Sequence, residues 1–66
     1  MLFEQELPRR VRARRKALNL TQRNLAELAG CHYMFVSDLE QGKQTLRLDK
    51  VLAVLRVLGL DVRVDE

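Results

Sequence analysis

Residues 21–42 read TQRNLAELAGCHYMFVSDLEQG, and this stretch decides the fold. Thr21 suits the N-cap of a helix. Gly30 stands just past that helix, where a residue that adopts positive φ at little cost lets the chain turn at once. Apolar residues between them recur every three or four positions and are therefore predicted to share one buried face: Leu25, Leu28 and Ala29.

A second short helix follows the turn immediately and is closed by Gly42. Its inward positions are Val36 and Leu39, which lie three residues apart on one helical face. Phe35 stands at the edge of that face, and packing against another helix or a partner is the favoured interpretation for it. The remaining side chains are predicted to point outward: Tyr33, Met34, Ser37, Asp38 and Gln41.

The composition is that of one small domain. The chain has 66 residues, and 47% of them are hydrophobic with only three aromatic rings, so Leu, Val and Ala must build the core. A domain of this size buries only about 60% of its unfolded surface, and a partner subunit would add stability. A net charge of +3 suits a polyanionic partner.

Compartment and disulfide chemistry are constrained by what the sequence lacks. The single Cys31 cannot form an internal disulfide, and the first residues lack the apolar core of a signal peptide. No apolar run approaches the roughly 20 residues that span a bilayer. We expect a cytoplasmic protein without a membrane partner.

The first helix is predicted to run from about Leu7 to Leu18, with Pro8 in its first turn and a frayed start or partial turn before it. Six of the eight residues 9–16 are basic. A solvated or phosphate-facing surface is favoured over a localisation tag, because helical spacing spreads these charges around the helix. Its buried stripe is predicted to hold Leu7, Val11, Ala17 and Leu18.

A polar loop leads to a last helix, predicted from about Leu48 to Leu58. One apolar stripe of this helix is expected to close the core: Leu48, Val51, Leu52, Leu55 and Leu58. Val54 and Val57 fall beside the stripe, which makes the apolar arc wider than one small bundle requires. Another chain is therefore expected to cover them.

Residues 60–65 alternate apolar and polar side chains, which is the period of a β-strand. A lone strand needs a partner, and the same strand of a second copy would form an antiparallel ribbon across a two-fold axis. Centring the ribbon on Val62 places Asp61 opposite Arg63 twice. A flexible tail is the alternative. The predicted dimerisation residues are Val54, Val57, Leu60, Asp61, Val62, Arg63 and Val64.

Several segments together resemble the lambda-repressor-like (Xre) helix-turn-helix family, from about Val11 to Leu60: Leu20-Thr21-Gln22, Leu25-Ala26, Leu28-Ala29-Gly30, Val36-Ser37-Asp38-Leu39-Glu40 and Gly42. The resemblance implies an all-α bundle of four or five helices that binds operator DNA as a dimer. Residues 58–64 resemble the tail of HipB-like antitoxins, whose terminal strand pairs in the dimer. The expected organisation is a helix-turn-helix DNA-binding domain over residues 1–59 and a short C-terminal dimerisation strand over residues 60–66.

The same resemblance implies that the second helix of the motif enters the major groove of double-stranded DNA. The base-reading positions would then be Tyr33, Met34, Ser37 and Asp38. Asp38 can only accept a hydrogen bond, for which cytosine N4 is the natural donor, and its charge repels phosphate. Met34 suits a thymine methyl group or plain packing. Phosphate contacts are expected from Thr21, Gln22, Arg23, Lys43 and Arg47, with Arg10 or Arg14 at the periphery. His32, at the start of the recognition helix, is expected to be either a cap or a phosphate contact.

Family members also join an arginine of the first helix to a glutamate at the end of the recognition helix, and Arg15 and Glu40 occupy those positions. A guanidinium can meet a carboxylate through two parallel hydrogen bonds, which would fix the two helices together. The alternative is that Arg15 simply adds to the basic face.

Three interpretations of function remain open. The first is a dimeric repressor of an inverted-repeat operator. The second is a protein-interaction module, such as an antitoxin that neutralises a toxin. The third keeps the fold and uses the recognition helix as a protein contact without DNA. Catalysis and cofactors are not expected, because Cys31 has no base and acid arranged around it. A metal site is not expected either, since Cys31 and His32 are adjacent ligands with no others near them.

Overall fold

Four helices form the part of the chain that the computed structural model describes, which is residues 2–43 and 45–60. In chain order they are α1 (Leu2–Ala17), α2 (Gln22–Ala29), α3 (Tyr33–Glu40) and α4 (Leu48–Leu58). The predicted all-helical bundle is confirmed for these residues. The predicted strand, including its pairing through Asp61, Val62, Arg63 and Val64, lies outside the described residues.

Helix α1 is longer than predicted. It begins at Leu2 rather than near Leu7, and Pro8 lies inside it instead of in its first turn. Proline inside a helix removes one backbone hydrogen bond. Here the Pro8 ring is buried, and apolar burial offsets that loss. The prediction rested on a local rule that packing overrides.

The core is a single cluster to which all four helices contribute. Four of its members have no accessible surface: Val11, Leu25, Val36 and Val54. Among the side chains that the structure describes, α1 supplies one apolar member and α4 supplies four. The cluster consists of Val11, Leu25, Ala26, Val36, Leu39, Val51, Val54, Leu55 and Leu58.

The faces of α2 and α4 differ from the predicted ones. Leu28 is 63% exposed and its place in the core is taken by Ala26, while on α4 Val54 replaces Leu48 and Leu52. Apolar residues cover most of the circumference of α4, so two overlapping stripes fit the same sequence and packing against α2 selects one. Val54 was predicted at a dimer surface. That prediction is wrong, because its side chain is fully buried within one chain.

The predicted buried stripe of α1 also needs correction at its carboxyl end. Val11 is fully buried and Leu7 packs partly against the core. Ala17 is exposed, and Leu18 lies beyond the end of the helix with 41% of its surface accessible. Helix α1 therefore contacts the core over a shorter length than its apolar residues indicate.

All four helices end in the same backbone arrangement. Just past each helix, one N–H donates to a carbonyl five residues earlier at 2.9–3.1 Å: Leu20 to Arg15, Cys31 to Ala26, Lys43 to Asp38 and Leu60 to Leu55. This motif needs a left-handed residue between them, and Gly30 supplies it with φ 73°. Asn19, with φ 58°, does the same after α1 without being glycine. The turn between α2 and α3 is thus short and tied down by hydrogen bonds.

Candidate nucleic-acid interface

The start of α2 is closed by reciprocal hydrogen bonds. Thr21 Oγ1 accepts from the Asn24 backbone N–H at 3.0 Å, and Asn24 Oδ1 accepts from the Thr21 N–H at 3.2 Å. Thr21 is therefore the N-cap that the sequence predicted. The contribution of Asn24 to this cap was not predicted, although its spacing of three residues from Thr21 is that of a capping box. The other N–H groups of this first turn have no partner within the helix and carry its positive dipole end.

Glu40, at the end of α3, is the centre of a nearly buried polar cluster. Its carboxylate accepts from Arg15 Nε at 2.6 Å and from Arg15 Nη2 at 3.1 Å. The Arg15 side chain is 12% exposed and the Glu40 side chain is 5% exposed. Arg15 Nη1 also donates to the Leu20 carbonyl at 2.8 Å. The contact expected between these two residues is present, and it joins α1 to α3.

Gln22 is the third side chain on this carboxylate. Its Nε2 donates to Glu40 Oε1 at 3.3 Å. Sequence reasoning placed Gln22 only against phosphate and did not connect it to Glu40. The same carboxylate that holds α1 therefore also fixes the side chain that opens α2.

Arg23, the next residue, contacts the opposite end of α3. Its Cζ lies 4.1 Å from the centre of the Tyr33 ring, within the range of a cation–π contact. The centre of the His32 ring is a further 4.7 Å from that of Tyr33. The sequence assigned Arg23 and Tyr33 to separate roles. No sequence signal joins them, because the contact links two helices.

Gln22 and Arg23 together define how α2 sits on α3. Adjacent side chains reach the last and the first residue of α3, a helix of about 12 Å at 1.5 Å per residue. The first turn of α2 therefore spans α3 lengthwise. Residues predicted to bind phosphate and residues predicted to read bases are neighbours on this surface.

His32 forms the N-cap of α3. Its Nδ1 accepts from the Met34 backbone N–H at 3.1 Å. An accepting Nδ1 carries no proton, so the neutral ring holds its proton on Nε2. The exposed His32 side chain therefore presents a donor to solvent, as a phosphate contact requires.

The outward side of α3 combines an exposed thioether with two partnered polar groups. Met34 is 48% exposed. Ser37 Oγ accepts from Gln41 Nε2 at 3.2 Å, and Lys43 Nζ lies 3.4 Å from a carboxylate oxygen of Asp38. The cation of Lys43 partly balances the charge of Asp38, which on its own would repel phosphate. Phe35 and Tyr33 are half-buried and pack against the core.

Lys43 and Arg47 lie on the loop after α3 and remain largely accessible. The Lys43 side chain is 60% exposed. Arg47 donates to both carboxylate oxygens of Asp49, at 3.2 and 2.9 Å, with side chains 74% and 61% exposed. Exposed pairs of this kind contribute little stability. Arg47 can therefore exchange its carboxylate for a phosphate at small cost.

Cys31, in the turn, shows no sign of an activated thiol. Burial raises the pKa of the Cys31 thiol, and the nearby Lys50 ammonium lowers it by less. Within residues 2–43 and 45–60, no three His, Cys, Asp or Glu side chains come together as metal ligands would. Over the same residues, no helix combines the length and apolar character that crossing a membrane demands.

A family model described as "Helix-turn-helix" matches residues 11–64. The chain belongs to the helix-turn-helix family. This confirms the resemblance to lambda-repressor-like (Xre) proteins, and α2 and α3 are the two helices of the motif. The chain is also 48% identical over 52 residues to a Sinorhizobium fredii (strain NBRC 101917 / NGR234) protein named "Uncharacterized HTH-type transcriptional regulator y4mF". That alignment covers 79% of this chain and 68% of the relative.

Proposed function

We propose that this helix-turn-helix chain is a DNA-binding transcriptional regulator, and that it acts as a dimeric repressor on an inverted-repeat operator. The observation that carries the proposal is the contact of Gln22 and Arg23 with the two ends of α3. It holds the amino end of α2 over α3, so one surface offers both a phosphate site and outward side chains. Family membership and the name of the Sinorhizobium relative support the same function.

In the proposed complex, α3 lies in the major groove and presents four side chains to base edges. Tyr33 and Ser37 donate or accept hydrogen bonds, and Met34 contacts a thymine methyl group. Asp38 accepts from cytosine N4. Its partner Lys43, at 3.4 Å, reduces the repulsion between that carboxylate and the phosphates on either side of the groove.

Phosphate binding in this proposal combines a helix end with side-chain donors. The unpaired N–H groups at the start of α2, together with its dipole, favour an anion there. Further donors are Thr21, Gln22, Arg23, His32, Lys43 and Arg47. Each neutralised phosphate releases counterions, so the logarithm of the binding constant should fall linearly with the logarithm of the salt concentration.

Dimerisation is proposed through the carboxyl end of the chain. Arg14 Nε donates to the Leu58 carbonyl at 3.0 Å and so fixes the end of α4 against α1. Val57 and Leu60 are half-buried there, and burial against a second copy would cover them. Pairing of residues 60–66 across a two-fold axis would place two α3 helices about 34 Å apart, the spacing of one DNA turn.

A second candidate function is neutralisation of a toxin or another protein partner, with little DNA binding. Its support is the exposure of four leucines that the proposed DNA contacts do not use, between 38% and 63% accessible: Leu18, Leu28, Leu48 and Leu52. Large accessible apolar side chains are typical of protein contacts when they are contiguous. The resemblance of residues 58–64 to HipB-like tails agrees with an antitoxin of this kind.

A fluorescence-anisotropy titration decides between the two functions. The DNA immediately upstream of the chain's own gene is compared with a scrambled duplex at two salt concentrations. We expect tight, salt-sensitive, selective binding with two chains per site. Equal and weak binding to both duplexes would refute the regulator, and binding by one chain per site would refute the dimer. Purification from the native host would then test for a protein partner.

A further inference from the structure

The stack between Arg23 and Tyr33 ties a predicted phosphate contact to a predicted base contact. Arg23 is exposed, whereas Tyr33 is half-buried at the first position of α3. The guanidinium carbon of Arg23 lies 4.1 Å from the centre of the Tyr33 ring. The ring of the preceding residue, His32, has its centre 4.7 Å from that of Tyr33. Tyr33 is therefore held by the core, by its neighbour and by Arg23.

A phosphate contact alone does not require this arrangement. Arg47, another predicted phosphate contact, pairs with the carboxylate of Asp49 instead of with a ring. A lysine would also serve a phosphate as a point charge, but it lacks the planar group that stacks on an aromatic face. Arginine is the more frequent partner of an aromatic face, because its planar guanidinium can lie against a ring while its N–H groups remain free for phosphate.

Tyr33 is the first residue of α3, so its contact with Arg23 bears on base recognition. The amino-terminal residues of a recognition helix are those that contact base edges, and a phenol can both donate and accept. A free aromatic side chain must be immobilised when it binds, which costs affinity and selectivity. A ring already held in place avoids that cost.

We propose that Arg23 is a positioning residue for base recognition, holding the Tyr33 ring so that its hydroxyl meets one base pair of the operator. The inference rests on the proposed function and deepens it. Selectivity at that base pair depends on Arg23 through the ring, whereas the electrostatic part of the affinity depends only on its charge.

The test uses Arg23→Lys, which keeps the charge and removes the stacking plane. Its matched control is Arg56→Lys, the same change at an exposed residue of α4 outside the proposed interface. Anisotropy titrations give the selectivity as the ratio of the binding constants for the upstream and the scrambled duplex. A salt series gives the slope of the logarithm of the binding constant against the logarithm of the salt concentration. We expect Arg23→Lys to keep the slope and to lower selectivity about twofold, because complete loss of an exposed cation–π contact would lower it about two- to fivefold and lysine keeps part of the contact.

A Tyr33→Leu background separates positioning from a direct role of Arg23. If Arg23 acts through the ring, Arg23→Lys has no further effect on selectivity once the ring is gone. The same loss in both backgrounds would overturn the inference. Thermal unfolding followed by circular dichroism confirms that each variant is folded.

The free protein supplies a readout without DNA. Tyr33 is the only tyrosine and the chain contains no tryptophan, so tyrosine fluorescence reports on this ring alone. Emission should change in Arg23→Lys and stay unchanged in Arg56→Lys. Unchanged emission in Arg23→Lys, or unchanged selectivity while the unaltered chain binds selectively, would overturn the inference and leave the proposed function standing. Absence of selective binding by the unaltered chain would overturn both.

Discussion

Glu40→Ala should be the most damaging single change to the polar cluster beneath the interface. It removes two hydrogen bonds from Arg15 and one from Gln22. The Arg15 side chain, which is only 12% exposed in the unaltered chain, would keep the Leu20 carbonyl at 2.8 Å as its remaining partner. Breaking a buried pair in this way costs roughly 3–5 kcal/mol. We expect about 3 kcal/mol, because one partner and some solvent remain.

That loss is large for a chain of this size. At roughly 0.05–0.15 kcal/mol per residue, 66 residues give a free energy of unfolding of about 3–10 kcal/mol. A loss of about 3 kcal/mol corresponds to a fall in Tm of roughly 12–24 °C. Differential scanning calorimetry or circular dichroism at neutral pH measures it directly.

Asp49→Ala is the matched control. It also breaks an arginine–carboxylate pair, at 2.9 Å, but one whose side chains are 74% and 61% exposed. We expect this change to cost about 0.5 kcal/mol, which corresponds to a Tm shift of roughly 2–4 °C. A second comparison replaces Arg15 by Met and Glu40 by Leu together, which removes the unpaired charge and should recover much of the loss. A Tm for Glu40→Ala within the range of the Asp49→Ala control would refute the reasoning.

Three smaller perturbations test the turn and the outward side of α3. His32→Ala should lower the free energy of unfolding by about 1 kcal/mol, whereas His32→Asn keeps a cap on Met34 N–H; equal losses in urea titrations of the two variants would contradict the cap. Asp38→Asn removes a repulsive charge and should tighten binding to a scrambled duplex about fivefold, and unchanged anisotropy titrations would argue against that repulsion. Because burial raises the pKa of the Cys31 thiol, iodoacetamide should modify it more slowly at pH 7 in the folded chain than in urea, as mass spectrometry can measure; equal rates would show an accessible thiolate.

Local signals in the sequence predicted the parts of the fold that local chemistry determines. The cap at Thr21 and the turns at Gly30 and Gly59 follow from single residues that act on their own backbone, Thr21 through its hydroxyl and the glycines through their positive φ. Pro8 is the exception, because its burial outweighs the rule that places proline in a first turn. Local rules of this kind are overridden only where the residue is densely packed against other parts of the chain.

Contacts between helices were predictable only where a family pattern joined the positions. Arg15 and Glu40 are an example, since nothing in their spacing along the chain indicates that they meet. The stack of Arg23 on Tyr33 had no such pattern and was missed. The face that α4 buries was also ambiguous, because apolar residues surround most of the helix and only its neighbours select among them.

Side chains of α2 contact both ends of α3, and these contacts fix how the two helices would meet DNA in the proposed complex. With Gln22 on Glu40 and Arg23 on Tyr33, α3 in the proposed complex cannot rotate in the major groove without moving the phosphate-binding start of α2. An operator whose curvature or groove width does not suit this rigid unit must itself deform. In the proposed complex, base pairs that no side chain touches would then contribute to selectivity through the stiffness of the duplex.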